Sequence, residues 1–202
     1  MNNPLRRRIV LGLAVLPAAG LARAAMTTPG ATEGPFYPGA EMRYADTDND
    51  LVKIQGLVER AGGEIVRLRG RVLDRRGNPV EAARVEIWQC DVNGRYLHRG
   101  DVGSGERDPA FQGFGIDRTG ADGVYRFRTI RPVPYSGRTP HIHVKVRVDG
   151  FDRLTTQFYL PDHPGNAHDW LYRRIPEQQR GLVTMRFSAA GNEPEAEVDL
   201  VI

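Results

Sequence analysis

The most constraining feature of this sequence is an alternating run at residues 141–148, His-Ile-His-Val-Lys-Val-Arg-Val. Successive side chains of a β-strand point to opposite faces, so this run predicts a strand with one apolar and one polar face. The two histidines share the polar face with Lys145 and Arg147, away from the expected core. Paired imidazoles on one face indicate a metal site, and the pattern alone fits zinc, iron or copper. The competing interpretation is a pair of core histidines whose nitrogens bond to the backbone.

Short apolar segments separated by turn residues extend this pattern over the rest of the chain. Residues 74–79, Asp-Arg-Arg-Gly-Asn-Pro, and the Asp-Gly pairs at 122–123 and 149–150 are typical turns. One short helix is expected at 168–175, and helical periodicity is otherwise almost absent. The sequence therefore predicts an all-β fold, a sandwich of mostly antiparallel strands with long loops. The predicted strands are residues 51–57, 64–74, 80–90, 124–130, 141–148, 154–160, 182–188 and 195–202.

Two stretches lack a clear strand or helix pattern. Residues 25–50 are polar and rich in proline and glycine, which predicts an irregular arm laid across the domain. Residues 91–121 form a long loop of glycines and charges, and such loops in compact domains are usually functional or disordered. Within it, residues 111–115 are expected to form either a mobile pocket wall or a tight turn. The sandwich domain is assigned to residues 51–202.

The first 24 residues have the layout of a bacterial export signal. Arg6, Arg7 and Arg8 precede an apolar run at 9–21, and Ala-Arg-Ala at 22–24 offers a small-residue cleavage site. The run is too short to span a bilayer comfortably, so no stable membrane span is expected after the signal is removed. The consecutive arginines resemble the twin-arginine type, with the general secretory route as the alternative. We therefore expect a periplasmic or secreted protein.

The net charge bears on possible partners, and the cysteine content bears on disulfide bonds. The formal net charge of +3 becomes −1 once the four arginines of residues 1–24 leave with the signal. The sequence therefore predicts no nucleic-acid partner. The single cysteine, Cys90, cannot form an intramolecular disulfide, and its strand-like surroundings predict a buried, inert thiol.

Several motifs follow one another along residues 32–160. They are Thr-Glu-Gly-Pro-Phe-Tyr at 32–37, Gly-Arg-Val-Leu-Asp at 70–74, Gly-Asn-Pro-Val at 77–80, Val-Glu-Ile-Trp-Gln-Cys-Asp at 85–91, Gly-Arg-Tyr at 94–96, Tyr-Arg-Phe at 125–127, Arg-Thr-Pro-His-Ile-His at 138–143 and Thr-Gln-Phe-Tyr at 156–159. In this order they resemble the intradiol ring-cleavage dioxygenases, the family of protocatechuate 3,4-dioxygenases and catechol 1,2-dioxygenases. The ordered set is far more specific than the histidine pair alone.

The resemblance implies one non-haem Fe(III) ion per chain, bound by two tyrosines and two histidines. At the matching motif positions these ligands are Tyr96, Tyr135, His141 and His143. A phenol otherwise titrates near pH 10, but coordination to a trivalent cation ionises it. The negative charge of the two bound phenolates would then hold the iron in its ferric state. In the family the substrate displaces the tyrosine that corresponds to Tyr135. The resemblance gives Arg138 a role in stabilising charge on the substrate and places Gln157 behind the ligands.

The implied reaction uses O2 to open the ring of a catechol-type ortho-diol between its two hydroxyl-bearing carbons. Its product is a cis,cis-muconate-type diacid.

Two departures from the family pattern affect the expected substrate and assembly. Only five residues separate Tyr135 from His141, and no N-terminal helical dimerisation segment is evident, so the chain is closer to a protocatechuate-type subunit. A homo-oligomer is compatible with the sequence.

Two alternatives come from other classes of site or protein. Residues 70–87 also resemble transthyretin-like and carboxypeptidase-regulatory-like sandwiches, which would make the chain a non-catalytic binding module. That interpretation leaves the tyrosine, arginine and histidine motifs as coincidence. A zinc site is the second alternative, and it is disfavoured by two tyrosines with no cysteine or carboxylate ligand.

Overall fold

The computed structural model of the protein describes residues 25–189 and 191–202, so the export signal expected at 1–24 lies outside the described part. Its strands are β1 (Ile65–Leu73), β2 (Arg84–Trp88), β3 (Phe114–Arg118), β4 (Val124–Ile130), β5 (His141–Val148), β6 (Phe151–Tyr159), β7 (Arg186–Ser188), β8 (Glu195–Glu197) and β9 (Leu200–Val201). Its helices are α1 (Trp170–Arg174) and α2 (Glu177–Arg180), with 3-10 turns at Ala40–Met42, Pro164–Ala167 and Gly181–Val183. Among the described residues, no helix is long and apolar enough to cross a bilayer.

The strands form two sheets that share one hydrophobic core. One sheet has the order β4-β1-β8-β7 with β9 also paired to β1, and the other has the order β3-β2-β5-β6. All pairs are antiparallel except β1 with β8 and β1 with β9. Residues of both sheets, such as Leu68 on β1 and Val144 on β5, are fully buried in the same core cluster. The prediction of a mostly antiparallel β-sandwich is confirmed.

Strand β5 lies in the middle of its sheet, between β2 and β6. Its alternate residues Ile142, Val144 and Val146 are buried in the core, as the sequence pattern predicts. The register places His143 opposite Trp88 on β2 and opposite Gln157 on β6. The three adjacent strands therefore present histidine, indole and amide groups side by side on the face opposite the core.

This polar face of β5 is also covered, which the alternation alone does not indicate. His141, His143 and Lys145 are only 1%, 2% and 4% exposed. The irregular arm lies over them. Glu33 of the arm forms an ion pair with Lys145, and the lysine ammonium lies 4.3 Å from the centroid of the Tyr37 ring. The face therefore becomes a second buried layer, formed by arm and sheet.

Three segments differ from the predicted strands. The segment predicted as a strand at 51–57 forms turns, in which Leu51, Val52 and Ile54 are buried but Leu57 is 42% exposed; Gly56 has φ +88°. The predicted 182–188 strand is a 3-10 turn at its start and extended only from Arg186. Conversely, the predicted loop at 91–121 contains strand β3. Gly115 within β3 packs so closely on Leu51 that a Cβ there would lie 2.5 Å from the leucine methyl group.

Candidate active site

The tyrosine and arginine upstream of the histidines flank a tight two-residue turn. Ser136 and Gly137 have φ of +42° and +76°, and the Arg138 amide donates to the Tyr135 carbonyl over 2.7 Å. Two consecutive positive φ values are characteristic of turns whose flanking residues pair directly. The turn therefore holds Tyr135 and Arg138 next to each other at the mouth of the site.

Tyr96 reaches the same place from the loop after β2. The buried Asp91 carboxylate accepts from the Asn93 and Arg95 amides at 2.8 and 2.9 Å, which ties the loop into a compact turn. Gly94, with φ +75°, approaches so closely that a Cβ there would lie 3.4 Å from the Pro134 carbonyl. The tyrosine is 2% exposed. The motif at 94–96 is thus part of a turn that packs against the loop carrying Tyr135.

All four residues proposed as metal ligands come together. The ring centroids of His141 and His143 are 4.7 Å apart, and those of Tyr96 and Tyr135 are 4.9 Å apart. The Tyr135 ring lies 5.5 Å from His141, and the Tyr96 ring lies 5.9 Å from His143. Trp88 stacks on His143 at 4.8 Å with 13° between the planes, which fixes the imidazole orientation.

His141 and His143 direct their Nε2 atoms towards each other. His141 Nδ1 donates to the Thr139 carbonyl over 2.7 Å, so its Nε2 retains a lone pair. That nitrogen lies 3.1 Å from His143 Nε2, a separation at which two lone pairs repel unless a proton or cation is shared. Burial, reinforced by the charge of Arg138, lowers the pKa of His141 to about 4. Burial and the neighbouring His141 lower the pKa of His143 well below its ordinary value. Both rings are neutral near pH 7, the form that binds metals.

The tyrosine hydroxyls complete a donor set that suits a hard trivalent cation. Tyr96 Oη is buried and has no hydrogen-bond partner among the described residues. A buried hydroxyl without a partner is costly, and a bound cation would remove that cost. Burial, and next the nearby Tyr135, raise the pKa of Tyr96 well above 10. Burial also raises the pKa of Tyr135. The residues therefore fit a ferric ion, which would stabilise both phenolates.

Arg138 belongs to a chain of hydrogen bonds behind the ligands. Its Nη2 donates to Gln157 Oε1 over 2.8 Å, and the Gln157 amide nitrogen lies 3.4 Å from His143 Nδ1. Tyr159 also donates to Gln157 Oε1 over 2.8 Å. At the other end, Arg138 Nε donates to Asp169 Oδ2 over 2.7 Å. The structure thus brings the two residues proposed as catalytic helpers, Arg138 and Gln157, into direct contact.

A pocket of about 260 Å³ opens beside these groups and has room for a single aromatic ring. The arm forms one wall. Gly34 has φ +78°, and a Cβ there would lie 3.4 Å from His143 Cε1, so the arm backbone passes directly over the imidazole. Phe36 stacks on Tyr96 at 5.0 Å. Tyr135, Arg138 and Trp170 line the open side.

Sequence reasoning missed two residues of this site. Trp88 belongs to the 85–91 motif, but the sequence gives no sign of its role beside His143. Asp169 was not singled out, although it begins the helix that was predicted at 168–175. Its carboxylate accepts from the Leu171 and Tyr172 amides at 3.0 and 2.9 Å, as an N-cap does. The sequence shows an aspartate in front of a predicted helix, which is a signal for a helix cap. It does not show that the same aspartate binds an arginine 31 positions away in sequence.

Cys90 is buried, as predicted. It packs in a separate small cluster with Trp88, Tyr96 and Phe114. Burial raises the pKa of its thiol to about 12, so the thiol stays protonated. Residues 111–115, expected to be a wall or a turn, instead contribute the fully buried Phe111 and the start of β3.

Comparison with known proteins places the chain in a family. A family model described as dioxygenase matches residues 32–202. The chain is 40% identical over 162 residues to the protocatechuate 3,4-dioxygenase beta chain of Burkholderia cepacia, covering 76% of this chain and 68% of the relative. The protein belongs to the intradiol ring-cleavage dioxygenases. This family match disfavours a non-catalytic binding module, because it extends over the tyrosine and histidine motifs as well as over residues 70–87.

Another curated relative and two solved structures also resemble this chain. Catechol 1,2-dioxygenase 1 of Acinetobacter lwoffii is 31% identical, with 72% of this chain and 50% of the relative covered. The chain therefore spans about half the length of that curated catechol dioxygenase. Among solved structures, the dioxygenase domain of a carbohydrate-binding fusion protein from Streptomyces sp. SirexAA-E aligns with a TM-score of 0.63 and 30% identity, covering 88% of this chain and 98% of that one. An intradiol ring-cleavage dioxygenase from Tetranychus urticae has a TM-score of 0.68 at 20% identity, with coverage of 88% and 95%, which supports the fold.

The zinc alternative finds no support in the residues surrounding the site. Across residues 25–189 and 191–202, the structure brings no three His, Cys, Asp or Glu residues together in a group that could hold a metal ion. Zinc sites in proteins are built mainly from these residue types. The side chains that converge in this site are instead two imidazoles and two phenols.

Proposed function

We propose that this intradiol dioxygenase binds one Fe(III) through Tyr96, Tyr135, His141 and His143. We further propose that it opens the ring of a catechol-type ortho-diol with O2, between the two hydroxyl-bearing carbons. The product is a cis,cis-muconate-type diacid that contains both atoms of O2. The observation that carries the proposal is the convergence of two neutral imidazoles and two phenols, one of which has a buried, unpartnered hydroxyl.

A ferric ion held by these four residues would supply Lewis acidity, which would make the ring carbon of a bound diol reactive towards O2. The protein residues supply position and charge. Tyr96 is buried deep in the site, whereas Tyr135 is only partly buried and lines the pocket. This difference supports a division of roles. Tyr96 stays in place, and Tyr135 moves aside when the diol binds and accepts one of its protons.

Arg138 provides a fixed cation at the pocket wall. Its guanidinium is held by Asp169 and Gln157, so its orientation does not depend on the substrate. A preorganised positive charge stabilises negative charge that grows on the ring and on the incoming oxygen atoms. Trp88 and the arm keep bulk water away from the histidines, which strengthens this electrostatic contribution.

The proposal is tested by metal analysis and oxygen uptake on the purified protein. We expect one iron per chain, a red-brown colour from tyrosinate-to-iron charge transfer, and oxygen consumption with at least one of catechol, protocatechuate and hydroxyquinol. His141→Ala should lose both iron and colour, and His168→Ala, which changes an exposed histidine, should keep both. Stoichiometric zinc in a colourless but active protein would contradict the proposal.

A further inference from the structure

A groove of about 720 Å³ adjoins the candidate active site and is larger than the pocket that holds the reacting ring. Strand β6 and helix α1 form two of its sides, and arm residues 29–32 form a third. The arm is fixed to the strand there, because the Ala31 amide donates to the Thr155 carbonyl over 2.7 Å and Thr156 Oγ1 donates to the Pro29 carbonyl over 2.8 Å. The groove is therefore a feature of the folded domain with hydrogen-bonded walls.

The groove and the active-site pocket are adjacent and share part of their walls. Thr32, Trp170 and Leu171 line both of them. Tyr159, which lines the groove, donates a hydrogen bond to Gln157, which lines the pocket. A molecule whose diol ring occupies the pocket therefore extends into the groove past Trp170 if it carries a large substituent.

The groove lining combines apolar surface with positive charge. Trp170 is 53% exposed, which is unusual for a large aromatic side chain, and Leu154 and Ile175 add apolar surface beside it. Arg153 and Arg174 are the charged lining residues, and no acidic side chain lies among the residues that line the groove. Neither arginine forms an ion pair with any described residue. This chemistry fits an apolar or aromatic group that ends in an anion.

We propose that the groove is a second substrate subsite, which binds an aromatic substituent of the diol and pairs a carboxylate at its far end with Arg174 and Arg153. The inference rests on the proposed ring-opening function and adds a substrate class to it. The preferred substrates are expected to be catechols joined through a short spacer to a second aromatic ring that bears a carboxylate, with single-ring diols as poorer substrates.

The geometry of α1 sets the position of the carboxylate. Trp170 stands at the junction of pocket and groove, and Arg174 lies one helical turn further, about 6 Å along the helix. The Arg174 guanidinium lies 4.9 Å from the Trp170 ring centroid, so the cation already borders the apolar surface. A carboxylate attached directly to the diol ring stays inside the 260 Å³ pocket and does not reach Arg174.

The test compares three compounds with one another as substrates of the iron-loaded enzyme. They are catechol, the amide of 3,4-dihydroxyphenylacetate with 4-aminobenzoate, and the methyl ester of that amide. We expect the free acid to have a kcat/KM about three- to fivefold above that of the ester, which is the range of one exposed ion pair. Added salt should reduce this preference, because exposed charges are screened. Dissociation constants from quenching of tryptophan fluorescence should show the same preference without requiring turnover.

Variants separate the subsite from general surface charge. Arg174→Ala should lower the ratio of acid to ester in both kcat/KM and affinity, and Arg174→Lys should retain part of it. Arg173→Ala is the matched control, because Arg173 is exposed on the same helix but does not line the groove. An acid-to-ester ratio near one in the wild type, or equal loss in both alanine variants, overturns the subsite. If catechol is opened but the ratio is one, only this inference fails. If no diol is opened by iron-loaded protein, the proposed function fails, and the affinities still decide the subsite.

Discussion

Asp169 gives the sharpest test of how the site is held together. Its side chain is fully buried, and one carboxylate receives Arg138 Nε at 2.7 Å, the Thr139 amide at 3.0 Å and two helix amides at 2.9 and 3.0 Å. Three segments thus meet at one acidic group: the arginine loop, the approach to β5 and the start of α1. Replacing Asp169 should loosen all three without touching a proposed ligand.

The expected loss of folding stability has two contributions, one from the ion pair with Arg138 and one from the cap of α1. Asp169→Ser keeps an oxygen that caps α1 but removes the partner of Arg138. Removing one partner of a buried ion pair costs about 3–5 kcal/mol. Because the Arg138 side chain is still 14% exposed, we expect about 3 kcal/mol for the serine variant. Asp169→Ala also loses the cap, which adds about 1 kcal/mol. Turnover should fall by roughly a hundredfold in both variants, because a catalytic cation displaced by about 1 Å loses that much.

Urea unfolding gives the stability of each variant, and oxygen uptake with iron analysis gives its activity and metal content. Iron and colour should remain. Burial raises the pKa of Asp169, but hydrogen bonds from Arg138 and from the Tyr172 and Thr139 amides outweigh it and leave the pKa below the ordinary value. Asp169 therefore stabilises the fold above the unfolded pKa of about 3.9 and loses this effect as pH falls through the lower folded pKa. A serine variant as stable and active as wild type at pH 7 would refute this reasoning.

Two further predictions concern catalysis and packing. Arg138→Ala should keep iron and colour but lower kcat by about a hundredfold, with a smaller effect on diol affinity; turnover equal to wild type would show that the cation has no role. Gly70→Ala should cost about 3 kcal/mol or more, or prevent folding, because a Cβ there would lie 1.7 Å from the Val198 carbonyl oxygen. Gly181→Ala, at a helical glycine with no atom within 4 Å of the added Cβ, is its control in urea unfolding and should be nearly neutral.

The best-predicted strands are those whose side chains alternate between core and opposite face. The bounds of β4 and β5 agree with the sequence prediction, because turn residues end both strands cleanly. Strand β3 was missed because Gly113 and Gly115 have low strand propensity, and its pairing with β2 is a tertiary contact. The 51–57 segment is apolar enough for a strand, but it forms turns that bury Leu51, Val52 and Ile54 and leave the other residues exposed.

The proximity of the four proposed ligand residues could be predicted for a different reason. Tyr96, Tyr135 and the histidines are carried by local motifs whose turns hold their shape within a few residues. The arm over His143 and the Asp169–Arg138 pair arise from contacts between segments distant in sequence. Such contacts depend on the packing of two loops, and neither loop alone contains a signal for the other.

The arm that covers the site is also fixed to the other end of the chain. Thr28 donates its amide to the Val201 carbonyl over 3.0 Å, and the Val201 amide donates back to Thr28 Oγ1 over 2.9 Å. During synthesis the arm emerges well before its partner, which lies 173 residues further along the chain. The histidines can therefore adopt their places on β5 while the wall above them is still absent. The order of translation leaves a period in which the forming centre is open, and synthesis of the segment around Val201 closes it.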